Sequence, residues 1–303
     1  MQTTLIPSIS LSRGTRASAF RYLSWVRLQD IVVLQGSPLL GAVAAIGFPA
    51  AEEVRPLAIL IVANALLVAH IFMLNDWAGL SADLADPNKV RDVYTARGIG
   101  QVEVGALTAG ALVLSLALFA YLGVTPFVLA LAIASLSALY SLPKHGWKGR
   151  PLLSSCAHLV GGVFHFLVGY ALGGAIDVRG VATGCFFALI FAAGHLTQEV
   201  RDYQGDSVNG TRTNAVTFGR RPTFAASLVL FTMAHALLLL LALVGILPRA
   251  LALLVALYPI QLRWSLQALS EGLTFASVVR LRARYRMLYA VIGVAMIGGL
   301  AAL

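Results

Sequence analysis

The stretch "FMLNDWAGLSADLADPNK", Phe72 to Lys89, places Asn75, Asp76, Asp83 and Asp86 at the end of a run that is otherwise apolar back to Leu57. A second stretch, "HLTQEVRDYQGDSVNGTRT" from His195, closes another apolar run with Glu199, Asp202 and Asp206. Charge is expensive in hydrocarbon, so acids that finish apolar helices call for an explanation.

The rest of the chain is of membrane type. It has 303 residues, 59% hydrophobic and only 12% charged, with a mean hydropathy of +0.84. A soluble protein of this size could not hide so much apolar surface. Runs of about 20 mostly apolar residues can cross a bilayer. Nine such runs are expected near 28–49, 57–75, 101–123, 126–142, 152–174, 181–200, 222–246, 250–270 and 284–303. The fold class is therefore all-α integral membrane, with no room for a soluble domain. Residues 1–27 form a basic tail and 28–303 the transmembrane domain. The tail is rich in Arg, Ser and Thr and free of acids, so a transit peptide to an organellar membrane is the other reading of it.

A net charge of +9 raises the question of nucleic acid. With the N-terminus inside, nineteen of the 22 Lys and Arg face inward, and only Arg55, Arg179 and Arg249 face outward. That split is the positive-inside rule, so the charge reports topology and no nucleic-acid partner is expected. Cys156 and Cys185 fall within spans and read as free buried thiols.

Both acidic stretches then lie on the cytoplasmic side, as does the loop "YSLPKHGWKGR" after the fourth span. Asp76 and Asp83 are seven residues apart, about two helical turns, and Asp202 and Asp206 are four apart, one turn. Each pair would share a helix face if its helix continued that far. Facing carboxylate pairs repel unless a cation lies between them. Oxygen-only donors suit Mg²⁺, which keeps waters and substrate phosphate oxygens in its shell. Lys144, Lys148, Arg150 and Arg91 nearby fit a metal that carries phosphate. Each such charge pair is worth roughly 4 kcal/mol at an effective dielectric of about 20. Interfacial acids that merely mark topology are the plain alternative, but two same-face motifs on one side argue against it.

These residues resemble the UbiA superfamily of intramembrane prenyltransferases. The family's N-D-x-x-D-x-x-x-D motif is met by Asn75, Asp76 and Asp83, and its D-x-x-x-D motif by Asp202 and Asp206. "DYQGDSVNGTRTNAVTFG" and "LYSLPKHGWK", with Tyr140, Ser141, Pro143 and Lys144, are similar to further family segments. The resemblance implies nine helices around an apolar chamber with a polar cytoplasmic cap. It also implies that the two motifs hold Mg²⁺ and an isoprenoid diphosphate, whose ionisation gives an allylic cation. A small hydrophobic or aromatic acceptor, drawn from or near the bilayer, then attacks the cation. On that reading Asn75, Asp76, Asp83, Asp202 and Asp206 hold metal, and Lys144, Lys148, Arg150, Arg91, Asn75 and Gln198 contact diphosphate or its waters. Tyr140 faces the cation.

Two departures stand out. Gly79 replaces the middle acid of the first motif, and the family's K-P-x-R-P segment reads "KVRDV", keeping Lys89 and Arg91 without the prolines. Asp86 could compensate for Gly79. A degenerate first motif also suits a UbiA-type terpene cyclase that acts intramolecularly, which is the alternative function. Transport is a third reading, but transporters put their charges near the midplane. Glu199 lies about 100° around the helix from Gln198 and could pair with Arg201 or another neighbour. His70, His158, His165 and His195 lie within spans, where a histidine is a packing residue or a candidate base.

Overall fold

The computed structural model describes residues 27–143 and 146–301. Lys144, and the expected tail up to residue 26, lie outside the described residues. Within them the elements are helices joined by turns. In chain order they are α1 (Leu28–Val33), α2 (Gly36–Ile46), α3 (Val54–Ala78), α4 (Leu80–Ala85), α5 (Gln101–Leu122), α6 (Val124–Ser141) and α7 (Leu153–Tyr170). They continue as α8 (Val178–Val208), α9 (Asn214–Phe218), α10 (Arg220–Leu243), α11 (Tyr258–Ser270) and α12 (Phe275–Ala301).

Seven segments are long and apolar enough to cross a bilayer: Leu28–Ile46, Ala51–Ala78, Gln101–Leu122, Val124–Ser141, Leu153–Gly173, Val178–Val208 and Arg220–Leu243. Each matches one of the expected runs. Where the eighth and ninth were expected, the chain is also helical. A 3₁₀ stretch, Arg249–Leu257, leads into α11, and α12 starts at Phe275.

Packing runs α3 against α5, α2 against α7, α7 against α8 and α8 against α10, and α12 contacts both α2 and α8. Lipid gives little hydrophobic drive between helices, so close backbone approach and polar cross-links do more of the work. At the α2–α7 contact a Cβ on Gly41 would lie 2.2 Å from the Phe166 carbonyl oxygen, and one on Gly169 would lie 1.7 Å from that of Pro38. The α3–α5 contact is tied by Ser115 Oγ donating to the Ala63 carbonyl (2.8 Å) and by His70 Nδ1 at 2.9 Å from the Thr108 carbonyl oxygen. The carbonyl fixes Nδ1 as the protonated nitrogen and ties His70 to α5. Asn64 reaches Gln35 Oε1 (2.9 Å) and His165 Nε2 (2.9 Å), joining α3 to α7.

One expectation about helix geometry fails. Asp76 and Asp83 do not lie on one continuous helix, because α3 ends at Ala78 and Gly79 (φ −93°, ψ 3°) turns the chain into the short α4. A Cβ at Gly79 would stand 2.8 Å from the Asn75 carbonyl oxygen. The bend thus fits the absence of a side chain, and residue 79 could not be an acid without a local shift. The second motif behaves as expected, with α8 running on to Val208 and carrying both Asp202 and Asp206.

Gly169→Ala should lower the thermal midpoint of the detergent-purified protein, by the equivalent of about 1–3 kcal/mol of overpacking. Gly161→Ala, on the same helix with open space around it, should leave the midpoint unchanged.

Candidate active site

α4 and the turn after it lie against the last turns of α8. Asn209 Nδ2 donates to the Ala82 carbonyl (2.9 Å). Asp86 is buried, and its carboxylate packs onto Gly205, where a Cβ would meet Oδ2 at 2.1 Å. A glycine between Asp202 and Asp206 is what lets this third acid approach the second motif. Asp86 Oδ1 also accepts from Asn88 N (2.8 Å), closing the local turn.

Lys89 joins the two motifs. Its Nζ is 3.6 Å from Asp83 Oδ1, 3.9 Å from Asp86 Oδ2 and 3.3 Å from Asp202 Oδ2. Burial alone would lower its pKa, but Asp202 and Asp83 outweigh burial and hold it above the ordinary 10.5. Asp202 is further gripped by Arg201, with Nε at 2.5 Å from Oδ1 and Nη2 at 2.8 Å from Oδ2. Asp76 has a different partner. Arg27 Nη2 donates to its Oδ1 (2.7 Å) while the guanidinium lies over Phe72. The residue that opens the first helix is thereby fixed to the first motif.

The other expected residues divide. Asn75 lies in the last turn of α3, with its carbonyl accepting from Gly79 N (2.9 Å). Asp206 is buried one turn beyond Asp202, and the Lys148 charge acts on it from beyond ion-pair contact. Arg150 and Arg91 are exposed, and the cluster's ion pairs involve neither. The basic residue this segment brings to the acids is Lys89, two positions before Arg91. Gln198 Oε1 accepts from Arg282 Nη2 (3.3 Å), a contact from α12 that helical spacing could not reveal.

Tyr140 meets two histidines. Its ring is edge-on to His158 (5.1 Å) and to His195 (6.1 Å), and the two imidazoles stack on each other at 3.6 Å and 9°. Glu199 pairs with His195, Oε1 to Nε2 at 3.0 Å, and Arg201 takes Asp202 instead. Asn214 Nδ2 donates to Glu199 Oε1 (3.1 Å), and Ala215 N to Oε2 (3.4 Å). Asn214 Oδ1 accepts from Leu152 N (2.8 Å), where Leu152 adopts φ +64°. A strained non-glycine residue thus orders the start of α7 beside this group. The signal available in sequence was the stripe His195, Glu199, Asp202, Asp206, whose spacings of four, three and four residues keep one helix face.

Asp76, Asp83, Asp86, Asp202, Asp206 and Asn75 supply hard oxygen donors, the chemistry that Mg²⁺ favours. Among the described residues no three His, Cys, Asp or Glu side chains already gather as a metal cage. Mg²⁺ does not require one, since it is usually held by one or two carboxylates with waters and phosphate oxygens completing the shell. The donor set therefore fits, with Lys89 marking where positive charge is stabilised.

The UbiA prenyltransferase family matches residues 36–300, and the chain belongs to that family. None of the curated proteins compared with the chain matches it. Among solved structures, the fold is similar to a UbiA homolog from Archaeoglobus fulgidus bound to GPP and Mg²⁺. That match has 19% identity and a TM-score of 0.69, covering 93% of this chain and 100% of that one. A digeranylgeranylglyceryl phosphate synthase aligns at 18% identity and TM-score 0.69, covering 94% and 99%. The apo UbiA homolog from Aeropyrum pernix K1 aligns at 17% and 0.68, covering 89% and 98%.

Lys89→Met should lower the thermal midpoint at neutral pH, because it leaves three carboxylates facing one another. A lysine whose folded pKa is raised stabilises fully below its ordinary 10.5 and loses that contribution as pH rises through the folded value. The difference between wild type and Lys89→Met should therefore shrink above pH 10.5. A difference that is constant with pH would contradict the bridging role.

Proposed function

We propose that the chain is a Mg²⁺-dependent intramembrane prenyltransferase that ionises an isoprenoid diphosphate and passes the prenyl group to a small aromatic acceptor. The observation that carries this reading is the position of Lys89 Nζ, within 3.6 Å of Asp83 and 3.3 Å of Asp202. Acids from two distant segments share one cationic partner, which brings the two motifs to one place. Family membership supports the reaction class, and the A. fulgidus homolog bound to GPP and Mg²⁺ supports the ligands.

In this reading Asn75, Asp76 and Asp83 would hold Mg²⁺ from one side and Asp202 and Asp206 from the other. Bound there, the metal would supply positive charge to the diphosphate oxygens as the leaving group forms. The chain's own cations share that work: Lys89, Lys148 and Arg201 lie at the motifs, and Lys144 follows α6 in sequence. Arg201 and Lys89 hold Asp202 as a carboxylate, keeping it an acceptor of metal or donors. Tyr140 presents its ring beside the histidine stack, where an aromatic face can stabilise an allylic cation. The apolar lengths of α3, α6, α7 and α8 would enclose the prenyl chain and exclude water, which protects the cation from hydrolysis. Nine crossings, counting Arg249–Ser270 and α12, with the acids at the cytoplasmic face, complete the proposed arrangement. The positive-inside distribution of Lys and Arg supports that orientation.

The reading is tested on purified protein with Mg²⁺ and allylic diphosphates of several chain lengths, with and without aromatic acceptors. Diphosphate release should require Mg²⁺. Asp83→Asn and Asp202→Asn should each reduce kcat/KM on the order of 10²–10³-fold. A cyclic hydrocarbon formed without acceptor, and lost in Asp202→Asn, would replace the transferase reading with the cyclase. Full activity in both variants would overturn the site.

A further inference from the structure

Seven residues before Asp202 on α8, about 10 Å along the axis, a buried imidazole stands beside a buried carboxylate. His195 and Glu199 are 7% and 3% exposed. Glu199 is surrounded by donors: Asn214 Nδ2 (3.1 Å) and Ser154 Oγ (3.3 Å) to Oε1, and Ala215 N (3.4 Å) to Oε2. Three donors and no acceptor around a carboxyl group favour its ionised form. No hydrogen bond is aligned at His195 Nε2, so the carboxylate acts on the ring by its charge at 3.0 Å. A negative charge on that side draws the ring proton to Nε2 and leaves Nδ1 with its lone pair. Among the described residues, no side chain or carbonyl hydrogen-bonds His195 Nδ1.

The second imidazole is differently committed. His158 Nδ1 is 2.7 Å from the Ser154 carbonyl oxygen, which can only accept, so that nitrogen carries the proton. His158 stacks on His195 at 3.6 Å, and Tyr140 and Phe191 border the pair. A parallel aromatic wall holds the His195 ring plane, and Glu199 fixes its tautomer. Asn214, anchored to Leu152 N, fixes Glu199 in turn. A plain packing histidine needs none of these supports.

We propose that His195 is the base that accepts the proton released when the prenyl cation is captured, with Glu199 and Asn214 as positioning residues. This rests on the prenyltransferase reading above. The allylic C–O bond breaks and diphosphate leaves with the electron pair. A π pair of the acceptor ring then forms the new C–C bond and leaves the ring positively charged. The ring C–H bond breaks, its electrons restore aromaticity, and its proton passes to His195 Nδ1. The resulting imidazolium is stabilised by Glu199 and returns the proton to water as product leaves. The placement is coherent along the helix. The carbon released from diphosphate was one bond from its oxygen, so the reacting atoms lie just below the acids, on the stripe that His195 and Glu199 continue. A solitary positive charge would be costly this deep, and the adjacent carboxylate offsets it.

The test measures diphosphate release, prenylated product and prenyl alcohol together, for wild type, His195→Gln and Glu199→Gln. Glu199→Gln keeps the shape, removes the charge and turns one acceptor oxygen into a donor. Where capture succeeds but deprotonation fails, the adduct reverts and the cation is lost to water. His195→Gln should therefore lose prenylated product on the order of 10²-fold, and diphosphate release should fall far less. The ratio of alcohol to product should rise. Glu199→Gln should shift the ratio in the same direction by a smaller factor. An unchanged ratio in both variants, with all three readouts falling in step, would overturn the base and leave the parent reading intact. Wild-type protein that releases no diphosphate from any allylic diphosphate would overturn both, and that outcome is distinct because it appears before any substitution.

Discussion

Three buried or half-buried carboxylates from two distant segments meet one ammonium group, and the arrangement of this end of the bundle follows from that meeting. Asp83 and Asp86 belong to the chain just after α3, and Asp202 belongs to α8. Without a cation among them their mutual repulsion would push α4 away from α8. With Lys89 in place the turn after α4 closes on α8, Asp86 settles on Gly205, and Asn209 reaches the Ala82 carbonyl. The same constraint gives the site its chemistry. A cluster of acids that needs positive charge to be stable would, in the proposed function, also accept a metal with its phosphate.

The lower half of the site has a different organisation. Between the acids and the apolar interior stand Tyr140, His158, His195 and Glu199, held by aromatic contacts and by the Asn214 link to the start of α7. Polar groups are thus ordered along α8. Acids that want a cation come at the end, then Glu199 with its donors, then the His195 imidazole, then apolar residues. In the proposed reaction this order would stabilise the diphosphate anion at the acidic end and keep water from the cation deeper in.

Much of this was readable from sequence, and the misses have physical causes. Hydropathy located the helices because bilayer thickness imposes a length on every crossing. The four-residue spacing of Asp202 and Asp206 held because α8 is unbroken through both. The seven-residue spacing of Asp76 and Asp83 misled because Gly79 interrupts the helix between them. Lys89 was legible only as a family-segment residue, since its part depends on contacts with an acid 113 positions away. Arg91, nearby in sequence, is exposed and takes no part in the cluster's ion pairs. Glu199 and His195 sit four apart, but helical spacing could not show that Asn214 and Ser154 would surround the carboxylate. Periodicity reports which residues share a face of one helix, and sites between helices need the fold.

In the proposed site the two Asp motifs would serve one cation position rather than two. The most direct measurement is electron paramagnetic resonance of Mn²⁺ in place of Mg²⁺, titrated into detergent-purified protein with inorganic diphosphate. It would be made on wild type, Asp83→Asn and Asp202→Asn. One diphosphate-dependent bound Mn²⁺ population is expected in wild type, weakened by either substitution alone. A bound population that keeps wild-type affinity in each single variant, held each time by the motif left intact, would contradict it.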